Sequence, residues 1–510
     1  MSGTKPTRNS IGRTVLICLA VLLQVAWLVV QFILLREKYA VISTVTGVLS
    51  LLIALQIFGS QKNASFKITW FFLIFLMPIV GILVYALSGY SAGLRIIRRR
   101  FDGACAHRLT AMPSGEAAGE ALRAENLRVA RQSEYIHRFG TYPPYKGGRL
   151  KYFADALDAL DAQKQALRGA ESFIFMEYFA IQDSRAFSDI KQILAEKAAQ
   201  GVEVRLLFDD AGSLGYVNRA FVKQMQALGV QCRVFNPIVP VLNIFMNHRD
   251  HRKVCVVDGR TGFTGGYNLA DEYFNYINPY GHWKDTGVML EGAAVQSLTA
   301  MFLEMWDAMT GTLSDYAPYL PPCPEDDQGE GYIQPYADSP LDDERVGENV
   351  YLNMLKSAVR YVHIVTPYLI LDDELSSELT LAAKRGVEVC IMTPGIPDKK
   401  LIFQLTRSYY AQLVQGGVRI YEYTPGFPHA KMLVYDDEAA TVGTVNMDYR
   451  SLYLHFEDGV FIYGSPAVKE IDEDILRCLV VSRDVTEDYA KRPATLRLWQ
   501  SLLRLIAPLT

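Results

Sequence analysis

Cysteine is sparse in this chain, and neither sign of charge prevails. The seven cysteines (Cys18, Cys105, Cys232, Cys255, Cys323, Cys390 and Cys478) are odd in number, scattered and without C-x-x-C spacing. That argues against a disulfide framework and reads as reduced residues of a cytosol-facing protein. Lysine and arginine total 51 against 55 acidic residues, a net charge of −4. Nucleic-acid binders ordinarily carry a basic excess, so that class is disfavoured. Carboxylates do not cluster at metal-site spacing, and His248 and His251 lack a third ligand nearby in sequence, so neither a metal nor a cofactor is expected.

Charge is also missing from most of the first 90 residues. Residues 14–35 form an uncharged, mostly aliphatic run long enough to cross a bilayer as one helix. Residues 39–60 form a second run, richer in Ser, Thr and Gly, separated from the first only by Arg36-Glu37-Lys38. The first run is too long for a signal-peptide core, and no A-x-A site closes it. A third run, 68–87, is interrupted by Pro78 and Gly81. Lys5, Arg8 and Arg13 precede the first run, and Arg95, Arg98, Arg99 and Arg100 follow the third. Positive flanks mark the cytoplasmic side, so the number of crossings is even. The expectation is a multi-pass anchor over 1–100 in the cytoplasmic (inner) membrane: two spans, a Pro-broken third segment at or dipping into the bilayer, and the remainder facing the cytoplasm.

What the chain does have is an internal repeat. His251-Arg-Lys-Val-Cys-Val-Val-Asp258 recurs as His429-Ala-Lys-Met-Leu-Val-Tyr-Asp436, both reading H-x-K-x4-D. Each is followed at equal distance by a small-residue turn and an asparagine, Gly265-Gly-Tyr-Asn268 and Gly443-Thr-Val-Asn446. Phe173–Tyr178 and Tyr361–Tyr368 occupy matching places, as do Gly201-Val-Glu-Val204 and Gly386-Val-Glu-Val389. Asp285-Thr-Gly-Val288 echoes Glu457-Asp-Gly-Val460, so each half carries an acid downstream of its motif. One short H-x-K means nothing; two with matching surroundings point to one site built by two halves.

Strand and helix signals alternate from Gly148 on, giving an α/β class with two halves, each a mixed sheet flanked by helices. The expected layout is a helical connector over 101–147, a first half over 148–315, a Pro-, Gly- and Asp-rich linker over 316–346 and a second half over 347–510. A helix is expected over Ser188–Gln200, capped by Ser188 and ended by Gly201. Val254–Val257 and Met432–Tyr435 read as core strands, which puts each motif histidine and lysine, two residues apart, on one strand face. Gly265-Gly266 and Gly443 read as tight turns. The apolar segment 237–246 is either an acyl-chain guide or core; the stretch 496–509 is either a membrane-surface helix or a packing helix.

Two histidines, two lysines and two asparagines suit a phosphodiester. Lys253 and Lys431 supply fixed positive charge, and Asn268 and Asn446 supply amide donors for the charge that grows as a nucleophile adds. One histidine attacks phosphorus as neutral imidazole; the other, protonated, gives its proton to the leaving alcohol. The reaction then runs through a phosphohistidine, with the second histidine reversing role. Asp285 and Glu457 are suited to orient the rings from behind.

The doubled H-x-K-x4-D with its G-[GST]-x-N turn resembles the signature of the phospholipase D superfamily over roughly residues 148–510. The hydrophobic leader with Lys67-Ile-Thr-Trp-Phe71 and Met77-Pro-Ile-Val-Gly81, together with Asn247–Lys253, Trp283–Thr286 and Asn446–Ser451, is similar to the bacterial cardiolipin synthases within it. The resemblance implies a phosphatidyltransferase that joins two phosphatidylglycerol molecules into cardiolipin and glycerol. It implies His251, Lys253, Asp258, His429, Lys431 and Asp436 as the catalytic motifs, His251 as nucleophile and His429 as acid and base, with the two aspartates stabilising the scaffold. His455 stands where that family often has asparagine. A hydrolase of the same superfamily, a transferase with another donor or acceptor, and a non-catalytic membrane scaffold are the competing readings.

Overall fold

The computed structural model describes residues 40–60, 63–89, 92–238, 247–322 and 329–490, with scattered positions nearer the termini. The first half is a seven-stranded mixed sheet in the order Arg149–Phe153, Gly287–Glu291, Thr261–Gly265, Lys253–Val257, Phe173–Tyr178, Glu203–Asp209, Gln231–Phe235. The second half repeats that order with Tyr332–Asp338, His455–Tyr463, Ala439–Gly443, Met432–Tyr435, Tyr361–Val365, Glu388–Pro394 and Arg419–Tyr423, and adds short strands at its edges. The expectation of two α/β halves, each a mixed sheet flanked by helices, therefore holds. One strand was not legible: Tyr332–Asp338 lies inside the segment expected as linker, yet it pairs with His455–Tyr463 along its full length.

These strands are buried on both faces, so they read as nearly unbroken apolar runs. Alternation sorts their side chains between two cores. Phe173, Phe175, Val254 and Val256 join a large core shared with Val434, Val442 and Val460 of the second half. Ile174, Met176, Tyr178, Cys255 and Val257 face an outer core under Ala156–Gly169 and Arg185–Ala199. The helix Val295–Thr310 lies in the shared core and packs along the helix Ala92–Ala111, where Arg108 pairs with Glu304 and its guanidinium lies 4.3 Å from the Tyr142 ring centroid. The connector continues as Glu116–Glu125 and Leu127–Tyr135, and contributes Leu122, Val129 and Ile136 to that core.

The expected helix over Ser188–Gln200 begins earlier, at Arg185. Its first turn is held by Asp271, whose Oδ1 accepts from Ala186 N and Ser184 Oγ, both at 2.8 Å. A cap contributed from 85 residues away leaves no local signal. Gly201 ends the helix at φ +91°, as its position implied.

At the N-terminal end the second apolar run forms the helix Ala40–Gly59. The third is divided at Pro78 into Ala64–Leu76 and Pro78–Gly89, 13 and 12 residues long. They fold back on each other closely enough that a Cβ at Gly81 would lie 2.6 Å from Ile74 Cα. No helix among the described residues is long and apolar enough to cross a membrane, so the two-span expectation finds no support in them. Most of the first run and the segment 239–246 lie outside the described residues.

The motif aspartates close the far ends of the motif strands. Asp258 and Asp436 take positive φ, 53° and 56°. Asp258 accepts from the backbone N–H of Glu171, Ser172 and Phe173 at 2.7–2.8 Å. Asp436 accepts likewise from Val359, Arg360 and Tyr361 at 2.7–2.9 Å. Each thereby fixes the start of the neighbouring strand. Asp258→Ala and Asp436→Ala are each expected to lower unfolding stability in urea by about 2–3 kcal/mol, the scale of lost charge-assisted hydrogen bonds. Lost activity at unchanged stability would instead assign these carboxylates to the chemistry.

Candidate functional site

The two halves exchange short strands. Arg249–Asp250, just before the first motif, pairs in parallel with His455–Phe456. Gly426–Pro428, just before the second, pairs in parallel with His282–Lys284. The exchange seats His251 N on Phe456 O (2.9 Å) and His429 N on Lys284 O (2.7 Å). Each motif histidine thus lands beside the acid of the other half. His251 Nδ1 lies 2.9 Å from Glu457 Oε2, and His429 Nδ1 lies 2.7 Å from Asp285 Oδ2. With Nδ1–H directed at a carboxylate, Nε2 is the free lone pair of each ring.

The two acids are seated differently. Glu457 Oε2 also accepts from Thr444 Oγ1, and Oε1 accepts from Ser451 Oγ, both at 2.5 Å. In the first half glycine stands where Thr444 stands in the second, because a Cβ on Gly266 would lie 2.0 Å from Asp285 Oδ1. Asp285 Oδ1 accepts instead from Thr286 N at 2.9 Å. The longer glutamate leaves room for a hydroxyl; the shorter aspartate requires bare backbone.

Lys253 and Lys431 are each 1% exposed. Lys253 Nζ donates to His251 O, and Lys431 Nζ lies 2.9 and 3.0 Å from the two ring nitrogens of His429. Arg252, between the first pair, turns the other way and meets Glu177 (2.7 Å) and Asp250 (3.4 Å), so Glu177 belongs to a buried ion cluster. Asn268 Oδ1 accepts from Ala180 N (3.0 Å), and its Nδ2 donates to Tyr273 OH (2.8 Å). Asn446 donates its backbone N–H to Ser451 Oγ (2.8 Å), while its Oδ1 is buried without a hydrogen-bond partner among the described residues. Asp258 and Asp436 are not brought here. Asp258 lies five strand residues beyond Lys253, about 16 Å at ordinary strand rise.

Both motifs act within one electrostatic neighbourhood. Burial, then Lys253, Lys431 and His429, hold His251 well below the usual histidine range. Burial and Lys431 bring His429 down to about 4, opposed by Asp285. Burial lowers Lys253 to about 8 and Lys431 to about 7. Burial alone would raise Asp285, but His429 and Lys431 outweigh it and keep it below the ordinary aspartate value. Two lysines, two carboxylates and two neutral imidazoles thus share one compact, buried site.

Several participants were not read from the sequence. Thr444, Ser451 and Asp458 support the second motif's acid and the first motif's lysine; Asp458 accepts from Lys253 N (3.3 Å) and Thr264 Oγ1 (2.5 Å). Trp283 and His455 are counterparts, each two residues before its acid. Trp283 lies 5.2 Å from the His429 ring and His455 lies 5.3 Å from the His251 ring. Among the described residues, His251, His455 and Glu457 group closely enough to hold a metal ion, a trio hidden from sequence by its 206-residue span. Arg450 Nε donates to His455 Nε2 (3.3 Å), which leaves the proton on Nδ1, 3.4 Å from Glu457 Oε1. Within the trio, Glu457 is hydrogen-bonded to His251, while His455 approaches both without a hydrogen bond to either.

Residues 164–306 and 351–479 match the family described as "Cardiolipin synthase, PLD-like domain", and residues 48–89 match "Phospholipase D-nuclease N-terminal". An uncharacterized protein of Streptococcus mutans is 41% identical over 89% of this chain and 99% of its own length. A cardiolipin synthase of Geobacillus kaustophilus is 34% identical over 90% of this chain and 91% of its own, and one of Halalkalibacterium halodurans is 31% identical over 92% and 93%. Among solved structures, phosphatidylserine synthase of Haemophilus influenzae superposes with a TM-score of 0.56 at 13% identity, covering 74% of this chain and 100% of that one, a likeness of fold.

Because burial brings Lys431 to about 7 and Lys253 to about 8, anion binding is expected to take up protons in that window. Calorimetry with tungstate is expected to show affinity falling as pH rises through it, by up to about tenfold per unit for one linked proton. Lys431→Met is expected to remove the lower step; affinity independent of pH across the window would disprove the assignment.

Proposed function

The chain belongs to the family of cardiolipin synthases with phospholipase D-like domains, and from that premise we propose that it transfers a phosphatidyl group between two phosphatidylglycerol molecules. The observation that carries the reading is the crossed pairing of His251 with Glu457 and His429 with Asp285 around two buried lysines. It leaves two imidazole Nε2 atoms and two cations for one phosphodiester.

In the proposed sequence, His251 Nε2 attacks phosphorus, the bond from phosphorus to glycerol oxygen breaks, and His429 gives its Nε2 proton to the departing glycerol. The hydroxyl of a second phosphatidylglycerol then loses its proton to His429 and attacks the phosphohistidine. Cardiolipin forms and His251 is freed. The order of the histidines is supported by the seating of the acids. Thr444 and Ser451 both donate to Glu457, which weakens its pull on the His251 proton and keeps that ring neutral. Asp285 faces fewer donors, so its pull on the His429 proton is less diluted. A bound phosphodiester anion offsets the two lysines and moves His429 up toward the protonated form its acid role needs.

Asn446 Oδ1 and Trp283 Nε1 support the same reading. Both are buried polar groups without a hydrogen-bond partner among the described residues, the condition of groups that await a substrate. A lipid substrate also suits the N-terminal helices, where Val48, Leu51, Leu52, Leu55 and Phe58 are 55–71% exposed. We place the protein at the cell membrane, with the catalytic halves on the cytoplasmic side. The finer proposal of two crossings by residues 14–35 and 39–60 rests on the basic flanks at Lys5–Arg13 and Arg95–Arg100.

Purified protein with labelled phosphatidylglycerol is expected to yield cardiolipin and free glycerol, with His251→Ala lowering kcat/KM by about 10³-fold or more. Phosphatidic acid as sole product would make it a hydrolase. Phosphatidyl-p-nitrophenol, whose leaving group needs no proton, separates the histidines. His429→Ala should keep a burst of nitrophenol and His251→Ala should not; the opposite pattern would reverse the two roles.

A further inference from the structure

The first turn of the helix Ala64–Leu76 is bound to the catalytic half rather than to its own hairpin. Asn63 caps that helix through Ser65 N (2.9 Å), and its Nδ2 donates to Tyr453 OH (2.8 Å) and Asp372 Oδ2 (3.0 Å). Tyr449 OH donates to Ser65 Oγ at 2.9 Å. Phe66 meets the rings of Tyr449 and Tyr453 edge-on, at 5.7 and 5.4 Å. All five contacts reach one element, the five-residue helix Tyr449–Tyr453, and the acid beside it.

That helix is joined to the site by its own middle residue. Ser451, between the two tyrosines, accepts from Asn446 N (2.8 Å) and donates to Glu457 Oε1 (2.5 Å), while Glu457 holds His251. Asp448 caps the helix by accepting from Ser451 N (2.9 Å). Hydrogen bonds and ring contacts therefore join Asn63, Ser65 and Phe66 to Tyr449 and Tyr453, and the backbone of their short helix carries Ser451, which bonds an amide and an acid of the site. Tyr449, Ser451, Asn446 and Glu457 are buried and Tyr453 is half-buried, so displacing the short helix shifts both Asn446 and Glu457. A five-residue helix has little rigidity of its own, and its position comes from what packs on it.

We infer that Asn63, Ser65 and Phe66 are positioning residues of the active site: the apolar N-terminal hairpin, by docking on Tyr449–Tyr453, sets the placement of Asn446 and Glu457. The inference rests on the phosphodiester chemistry proposed above but not on which phospholipid is the donor. It separates two roles of the N-terminal region, attachment to lipid and alignment of the site, and locates the second in three residues.

The test uses the full chain in detergent micelles and on vesicles. With phosphatidylglycerol dispersed in micelles, where attachment to a bilayer plays no part, Asn63→Ala/Phe66→Ala is expected to lower kcat about tenfold while KM stays within about twofold, and Phe66→Tyr to retain most of kcat. Full kcat in micelles with a loss confined to vesicles would overturn the inference, leaving attachment as the segment's role. Should the double variant melt early, Tyr449→Phe, which removes one hydroxyl, is expected to give a smaller fall in kcat at wild-type melting temperature; unchanged kcat would count against the inference. Tungstate binding reads the same alignment without turnover. If wild type leaves phosphatidylglycerol intact, the substrate reading fails, while tungstate bound about tenfold more weakly by the double variant still upholds the positioning role and equal binding refutes it.

Discussion

The carboxylate that each motif histidine holds belongs to the other half of the chain, and the site's other features follow from that exchange. A buried imidazole beside a buried lysine is under pressure to stay neutral and to leave its place; a carboxylate at 2.7–2.9 Å fixes its tautomer and its direction. Removing either acid would leave a histidine–lysine pair with no compensating charge in a region where desolvation dominates every titration. The two short exchanged strands are thus more than edge pairings. They carry the backbone hydrogen bonds that set the histidines down beside the acids, and they make the two halves one cooperative body around a shared core.

Within that near-symmetric frame the halves have diverged where chemistry needs a difference. Thr444 and Ser451 give Glu457 two hydroxyl donors, whereas Asp285, beside Gly266, takes a single backbone N–H from Thr286. Trp283 and His455 occupy matching places beside the two rings with different capacities: the indole donates only, and the imidazole is held by Arg450. Two histidines with equal surroundings would compete for one role. Unequal seating of their acids gives the two rings different hydrogen-bonded surroundings. The N-terminal hairpin reaches the same difference, because its docking helix carries Ser451, one of the donors that distinguish Glu457 from Asp285.

What was legible in the sequence was whatever repeats or alternates. The motif residues His251, Lys253, His429 and Lys431, the asparagines Asn268 and Asn446 and the acids Asp285 and Glu457 were found by matching one half to the other, and the two-sheet α/β plan by apolar runs punctuated with glycine. Tyr332–Asp338 was missed because it follows a Pro-, Gly- and Asp-rich stretch whose composition reads as linker, although its pairing with His455–Tyr463 is complete. The start of the helix at Arg185 was missed because Asp271, far along the chain, supplies its cap. Thr444 and Ser451 lie in motif stretches, but their bonds to Glu457 carried no signal, since a hydroxyl becomes an acid's partner only after folding.

The sequence by itself determined that there are two equivalent halves, which histidines, lysines, asparagines and acids recur in both, and that one strand face presents histidine and lysine together, because strand alternation and repetition are local properties of a chain. Only the tertiary structure decided that the acids are exchanged, that Asp258 and Asp436 anchor strand starts away from the site, and that the N-terminal hairpin rests on the helix beside Asn446. Those outcomes depend on pairings between residues as much as 390 positions apart. No local pattern encodes them; they arise when two sheets bury one core and each supplies the hydrogen-bond partners the other lacks.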